Sequence, residues 1–527
     1  MGRGNNHIYA LAAVAAIVAA TAAVYFTALS NGFVYDDNQV LLANPWVTDI
    51  GRLKDILTSS VMSFREGSPT SNTYRPEVYI LWMGLYHMAG FSPFFFHFVN
   101  IALHAVNAVL VFAIARVLFT KQDSVGVIMD GQKRALAGVA APLLAAMVFA
   151  LHTVNSEVVN WVSAQAELSF ALFVLLALYI YLRPSRRKGL FTLVLSAGFF
   201  FLGLLSKETA MAFIPLAVAY DISAGGLAGL RRGVRAYALF IATAAAYMAM
   251  RMNAIGGLMH HKQAQMSAYE TVANVFPLVF EYFSKLAYPA GLNALYEFHP
   301  VHSLMDGRAL AGIGAVVVFI LAALFFMRNR VVFNALALVA VPLLPVLYIP
   351  ALSTAAFADR YMYLSSAGFA ILLAAVVNRL FIRRAFWPGR RPGPVVYVTL
   401  GLSAALLLSY SAASFKRSAA WRSDYTLWAD TVEKSPNNPN AHYNFAWASQ
   451  AGGEVKNAEA HYRETIRLDP GAADAHFNIG IMYAGQSRYE EAAAEFAEAL
   501  RINPGYEPAR VELNKITRLN GAGGAGR

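Results

Sequence analysis

Long apolar runs dominate the chain as far as residue 414 and are absent beyond it. The first, His7 to Leu29, follows the basic stretch Met1–Asn6 and has about the 20 residues a helix needs to cross a bilayer core. No convincing cleavage-site exit precedes the bulky Phe33-Val34-Tyr35, so the run predicts a retained first helix rather than a removed signal peptide. Further runs occupy 93–119, 136–151, 164–182, 190–206, 208–222, 236–254, 308–327, 331–352, 362–380 and 395–414. Together they predict an all-α, polytopic membrane bundle of about eleven transmembrane helices. The stretch 271–289 contains Glu281 and Lys285 and breaks the alternation if counted as a crossing. It reads as an interfacial or re-entrant helix.

Alternate threading of these spans sorts the charges. Lys121/Lys133/Arg134, Arg186/Arg187/Lys188, Arg231/Arg232/Arg235, Arg328/Arg330 and Arg383/Arg384/Arg390/Arg391 fall on one side, with the N-terminus. Basic loops mark the cytoplasmic side. The opposite face is then expected to receive loop 30–92, loop 152–163, the Lys207-Glu208 turn, loop 255–307, turn 353–361 and everything after 414.

That last part repeats. Pro436, Pro470 and Pro504 recur at the 34-residue period of tetratricopeptide helix pairs. Ile479-Gly480, Tyr483, Ala492, Phe496 and Ala499 stand at the signature positions; Phe445, Ala446, Ala458 and Tyr462 match less fully in the preceding repeat. The reading is a transmembrane domain at 1–414 and an α-solenoid at 415–520, with full repeats near 437–470 and 471–504. A half-repeat (Tyr425–Ser435) and a last helix (Pro508–Leu519) cap it, and 521–527 forms a flexible tail. The solenoid either buttresses the membrane domain or offers a surface to a protein partner.

Composition agrees with the pattern. The chain is 57% hydrophobic and 14% charged, against about 25% charged in soluble domains. Its net charge of +11 divides unevenly: residues 1–414 hold 29 Lys/Arg and 17 Asp/Glu, residues 415–527 hold 13 and 14. A surplus confined to loops between apolar spans is a topology signal, so no nucleic-acid partner is expected. The absence of Cys excludes disulfides, thiolate metal sites and Cys nucleophiles.

Every polar segment with chemical promise lies on the predicted non-cytoplasmic face. Asp36-Asp37 follows the first helix; a carboxylate there can serve as general base, or the pair can cap the next helix. His152-Thr153-Val154-Asn155-Ser156-Glu157 continues to Gln165 and Glu167, and a continuous helix from Asn155 would put Glu157, Trp161 and Gln165 on one face. Glu167, at the edge of a span, should face the bundle interior or a watery cavity. A His among carboxylates also suits a metal, but the spacing matches no specific metal motif; no cofactor is assigned and a divalent cation is left open. Lys207-Glu208 and Asp359-Arg360-Tyr361 are interfacial ion pairs or phosphate contacts, and Arg75 is a further cation for phosphate. His97, Asn100, His104 and Asn107 form a polar stripe on one helix face, for interhelical hydrogen bonds or for lining a cavity. His104, His152, Glu157, Gln165 and Glu167 are taken as pocket-lining. With no P-loop, zinc motif or nucleophile elbow present, chemistry on a lipid-borne phosphate fits best.

The segments FVYDDNQVLLANP, HFVNIALHAVNAVLVF, LHTVNSEVVNWVSAQAEL, LLSKETAM, DRYMYLSSAGF and SFKRSAAWRSDYTLWADTVEKSPNNPNAHYN, with the repeat tail and their order, resemble the transmembrane and tetratricopeptide-repeat O-mannosyltransferases and their bacterial relatives. Those are lipid-donor glycosyltransferases of the GT-C type. The resemblance implies a GT-C-like membrane domain in which Asp36 or Asp37 is the active-site base, Asp36 being preferred. It implies transfer of a sugar from a polyprenyl-phosphate donor to an acceptor hydroxyl, protein Ser/Thr first and a lipid or glycan second. His152-Thr153 stands where relatives commonly have His-Pro, a departure that loosens that loop's assignment. The few repeats suggest a bacterial inner-membrane enzyme with its repeats in the periplasm. A different class remains: a non-catalytic scaffold whose repeats assemble pilus, secretion or envelope machinery. A scaffold has no use for Asp36-Asp37.

Overall fold

The structure is a computed structural model that describes residues 2–65, 71–122, 131–183, 189–257, 266–347, 356–382 and 393–524. Of the features above, Arg186, Arg187, Lys188, Arg383, Arg384, Arg390, Arg391, residues 348–355 and 525–527 lie outside the described residues. The chain divides into two compact units: Met1–Leu292 with His299–Arg422, and Asn293–Phe298 with Ser423–Arg527. Among the described residues every regular element is helical.

The first unit is a membrane bundle. Eight of its helices are long and apolar enough to cross a bilayer, nine if the bent pair Gly138–Leu151 and Thr153–Asn160 counts as one span. The sequence count of about eleven also includes the shorter Leu190–Ser206 and divides Glu208–Ile255 in two. That division has a structural basis. Gly226 takes φ +55 inside Phe213–Ile255, and a Cβ added to Gly229 would sit 2.0 Å from the Asp221 carbonyl oxygen. Backbone approaches of that kind demand glycine, and they show the chain doubling back on itself here. The helix Ala268–Ala287 takes in residues 271–287 of the stretch 271–289 and opens with a Ser267/Glu270 capping box.

The segment 155–167 is not one continuous helix. Thr153–Asn155 and Ser156–Asn160 end at Trp161, which is extended, before Gln165–Leu182 begins. Breaks within an apolar bundle free carbonyls that water cannot reach. The polar stripe of the Pro93–Gln122 helix satisfies them. Asn100 Nδ2 donates to the Val159 and Trp161 carbonyls and His104 Nε2 to Ala150, while Asn107 Nδ2 donates to Leu168 in the first turn of the helix that follows. All of these side chains are fully buried. The stripe therefore holds open a kinked segment that places Glu157, Trp161, Ser163 and Glu167.

In the second unit the helices Pro439–Ala451 and Val455–Leu468, then Ala473–Gly485 and Tyr489–Ile502, form successive antiparallel pairs. Ala446, Ala458, Tyr462, Ala475, Ile479, Tyr483, Ala492, Phe496 and Ala499 make one core. Gly480 has no alternative, because a Cβ there would lie 2.6 Å from the Phe496 ring.

Candidate active site

The loop after the first helix turns sharply into the bundle end. Tyr35 adopts φ +56, a left-handed conformation that costs a tyrosine energy and persists only where its surroundings fix it. Two contacts do so. Its ring stacks on Trp161 at 5.2 Å, and Asp37 locks the turn behind it by accepting the Val34 N–H at 3.1 Å and the Ser163 N–H at 2.7 Å. The Ser163 hydroxyl donates to the same carboxylate oxygen. Asp37 is fully buried; burial pushes its carboxyl up to about 7, against the hydrogen bonds from Ser163 and Val34.

Asp36 is different. It is half-buried, and it does not cap the Asp37–Leu42 turn that follows it. Among the described residues its carboxylate accepts no hydrogen bond. Burial raises its pKa above the usual carboxylate value, and the positive charges of Arg360 and Arg75 oppose the rise.

Around it stand paired charges. Arg360 donates to Glu157 twice, from its side chain at 2.7 Å and its backbone at 3.0 Å. Its guanidinium lies over Trp161 at 5.4 Å and Tyr361 at 5.1 Å. Lys207 pairs with Glu167 at 2.7 Å and lies 5.1 Å from the centre of the Tyr361 ring. Both pairs are buried, so each charge is compensated where it could not stand alone. The sequence set Lys207 beside Glu208 and Arg360 beside Asp359; the partners found for the two cations, Glu167 and Glu157, come from another segment. Glu208 keeps one carboxylate oxygen buried and unpartnered.

Arg75 begins the Pro76–Ala89 helix. Among the described residues no carboxylate pairs with it, and its Nε is buried without a partner. The Trp161 and Trp421 indole N–H groups are also buried and unpartnered, and the two rings stack at 6.1 Å. Such groups are rare in native proteins and call for a ligand or bound water. Glu77, on the turn after Arg75, receives the Ser206 hydroxyl at 2.8 Å, and burial raises its carboxyl to about 7.

The remaining sequence candidates are held by the protein. His104 faces the Tyr363 hydroxyl at 2.8 Å and the Ala150 carbonyl at 3.1 Å. His152 faces the Leu286 carbonyl and accepts the Val154 N–H, and Gln165 links the Trp82 indole N–H to the Phe96 carbonyl. Their polar ends are occupied by scaffold, while Asp36, Arg75, Glu157, Glu167, Lys207, Arg360 and Tyr361 are linked in one electrostatic cluster. Among the described residues no three His, Asp or Glu side chains converge in a metal-holding group. Sequence reasoning missed Ser163 and Glu77. Neither carries a local signal, since a serine in an apolar run and a Glu after Pro are common.

Fold and site together define a multi-pass helical membrane protein with a carboxylate–cation cluster in its bundle and tetratricopeptide repeats at its C-terminal end. A tetratricopeptide-repeat family model matches residues 431–507. The chain is similar, at 24% identity over 450 residues, to Protein O-mannosyl-transferase F38B6.6 of Caenorhabditis elegans, covering 83% of this chain and 60% of that protein. It is 25% identical over 480 residues to Protein O-mannosyl-transferase TMTC4 of Mus musculus, covering 82% and 63%. It is also 25% identical over 505 residues to Protein O-mannosyl-transferase TMTC1 of Homo sapiens, covering 86% and 54%. The chain spans between 54% and 63% of the length of these three relatives.

Proposed function

We propose that this protein transfers a sugar, mannose or a close hexose, from a polyprenyl-phosphate donor to Ser or Thr hydroxyls of an acceptor protein, at the non-cytoplasmic face of its membrane. One observation carries the reading: Asp36, whose carboxylate accepts no hydrogen bond among the described residues, stands in the field of Arg75, which has no carboxylate partner among them and a buried, unpartnered Nε. A base and an anion-binding group left unused by the fold are what the reaction needs. The acceptor oxygen attacks the anomeric carbon from the face opposite the phosphate. Its proton passes to Asp36, the bond from the anomeric carbon to phosphate oxygen breaks, and the phosphate leaves with the electron pair. Arg75 takes the charge growing on that phosphate. Asp37 does no chemistry and holds Tyr35 and Asp36 in place. The transferase names of the three relatives support the class of reaction. Intact-mass spectra of membrane and exported proteins from cells with and without the gene test it. The expected result is loss of a hexose-sized increment from one or more proteins, restored by the wild-type gene and not by Asp36→Asn. Unchanged spectra in the deleted strain, or full restoration by Asp36→Asn, overturn it.

A further inference from the structure

A cavity among the described residues lies far from the acidic pair. His97 of the Pro93–Gln122 helix bonds the Gly32 carbonyl near the site; Arg116 of the same helix is about 28 Å farther along at 1.5 Å per residue. There a groove of about 460 Å³ runs between the first helix, Gly2–Tyr25, and the Pro93–Gln122 helix, with Tyr179 at one side.

The lining has a gradient. His7, Arg116, Thr120 and Tyr179 surround the end nearest the helix termini, while Val14 and Val109 line the deeper part. From Thr120 to Val109 the helix rises about 16 Å, the reach of a long stretch of acyl chain. Leu11 on the rim is 69% exposed, so the groove opens sideways toward lipid. Arg116 lies over the ring of Phe112 at 5.6 Å, and among the described residues it has no carboxylate partner. A guanidinium within two turns of a helix end needs an anion at the level of the lipid phosphates.

We propose that this groove binds an anionic phospholipid of the leaflet opposite the active site, its phosphate on Arg116 and one acyl chain lying along Val14 and Val109. The inference does not depend on the transferase reading. The lipid would clasp to the bundle the first helix, from which the loop bearing Asp36 departs.

The test uses the full-length protein in nanodiscs with photoactivatable phosphatidylglycerol or phosphatidylcholine carrying the same acyl-chain diazirine. Peptides containing Ala10–Val14 and Val109–Val117 should be labelled about fivefold more by the anionic probe, the ratio that about 1 kcal/mol per cation gives. Arg116→Gln should abolish the preference and Arg116→Lys keep it. Arg231→Gln, an exposed cation outside the groove, should leave it unchanged. Equal labelling by the two probes in wild type, or an undiminished preference in Arg116→Gln, overturns the proposal.

Discussion

Asp36 and Asp37 are neighbours in sequence and opposites in surroundings. Asp37 accepts two buried N–H groups and a hydroxyl; replacing it with Ala leaves the donors unpaired at about 1–3 kcal/mol each. Asp37→Ala should therefore lower the thermal transition of the protein in nanodiscs. Asp36→Asn removes no hydrogen bond, so it should leave that transition unchanged and stop transfer. A drop in stability for Asp36→Asn equal to that for Asp37→Ala contradicts the division of roles. The pH profile follows from the same contacts. Burial raises the Asp36 carboxyl, and Arg75 and Arg360 pull it down. As base it works deprotonated, so the rate should rise with pH along a limb displaced above the ordinary carboxylate range. Removing a lowering charge moves the pKa up. In Arg75→Gln that limb should shift to higher pH, whatever happens to its height. A limb that stays in place shows that Asp36 is not the titrating base.

The elements show where sequence reading succeeds. Apolar runs are a one-dimensional property, and so is a 34-residue repeat; the bundle and the solenoid were legible from both. The polar stripe at His97, Asn100, His104 and Asn107 was legible as a stripe, with its partners unknown. They are backbone carbonyls and a tyrosine hydroxyl more than forty residues away, and nothing local announces that the chain is extended at Trp161. The ion pairs escaped for the same reason. Sequence adjacency suggested Lys207 with Glu208, whereas the structure pairs Lys207 with Glu167 across two helices. The repeats carry a further consequence of their period. His476 bonds Glu495 at 2.7 Å, and at the equivalent place in the preceding repeat His442 faces His461, Nδ1 to Nδ1 at 2.8 Å. His442 also faces the Pro436 carbonyl, which fixes Nε2–H and leaves Nδ1 to accept from His461. Burial and the neighbouring His442 lower the His461 pKa, with Glu464 opposing. A depressed His pKa means stability present above the unfolded value near 6.5 and lost as pH falls through it. Hydrogen exchange, corrected for its intrinsic rate, should show Val455–Leu468 losing protection between pH 7.5 and 5.5 while Tyr489–Ile502 does not. His461→Glu, which copies the next repeat, should cancel the difference; equal behaviour of the two helices in wild type refutes it. Gly480→Ala should destabilise its own helix pair by about 1–3 kcal/mol through overpacking against Phe496, read as faster exchange in Ala473–Gly485.

For the molecule as a whole, the account rests on a bundle whose helix ends bring Asp36, Arg75, Glu167, Lys207 and Arg360 into one electrostatic cluster. The most direct measurement is sugar transfer by the purified full-length protein in nanodiscs, given polyprenyl-phosphate mannose and Ser/Thr peptides of exported proteins. The predicted result is a hexose-sized mass gain on peptide with stoichiometric release of polyprenyl phosphate, reduced about 10²–10⁴-fold in Asp36→Asn. Transfer by Asp36→Asn at the wild-type rate contradicts the account.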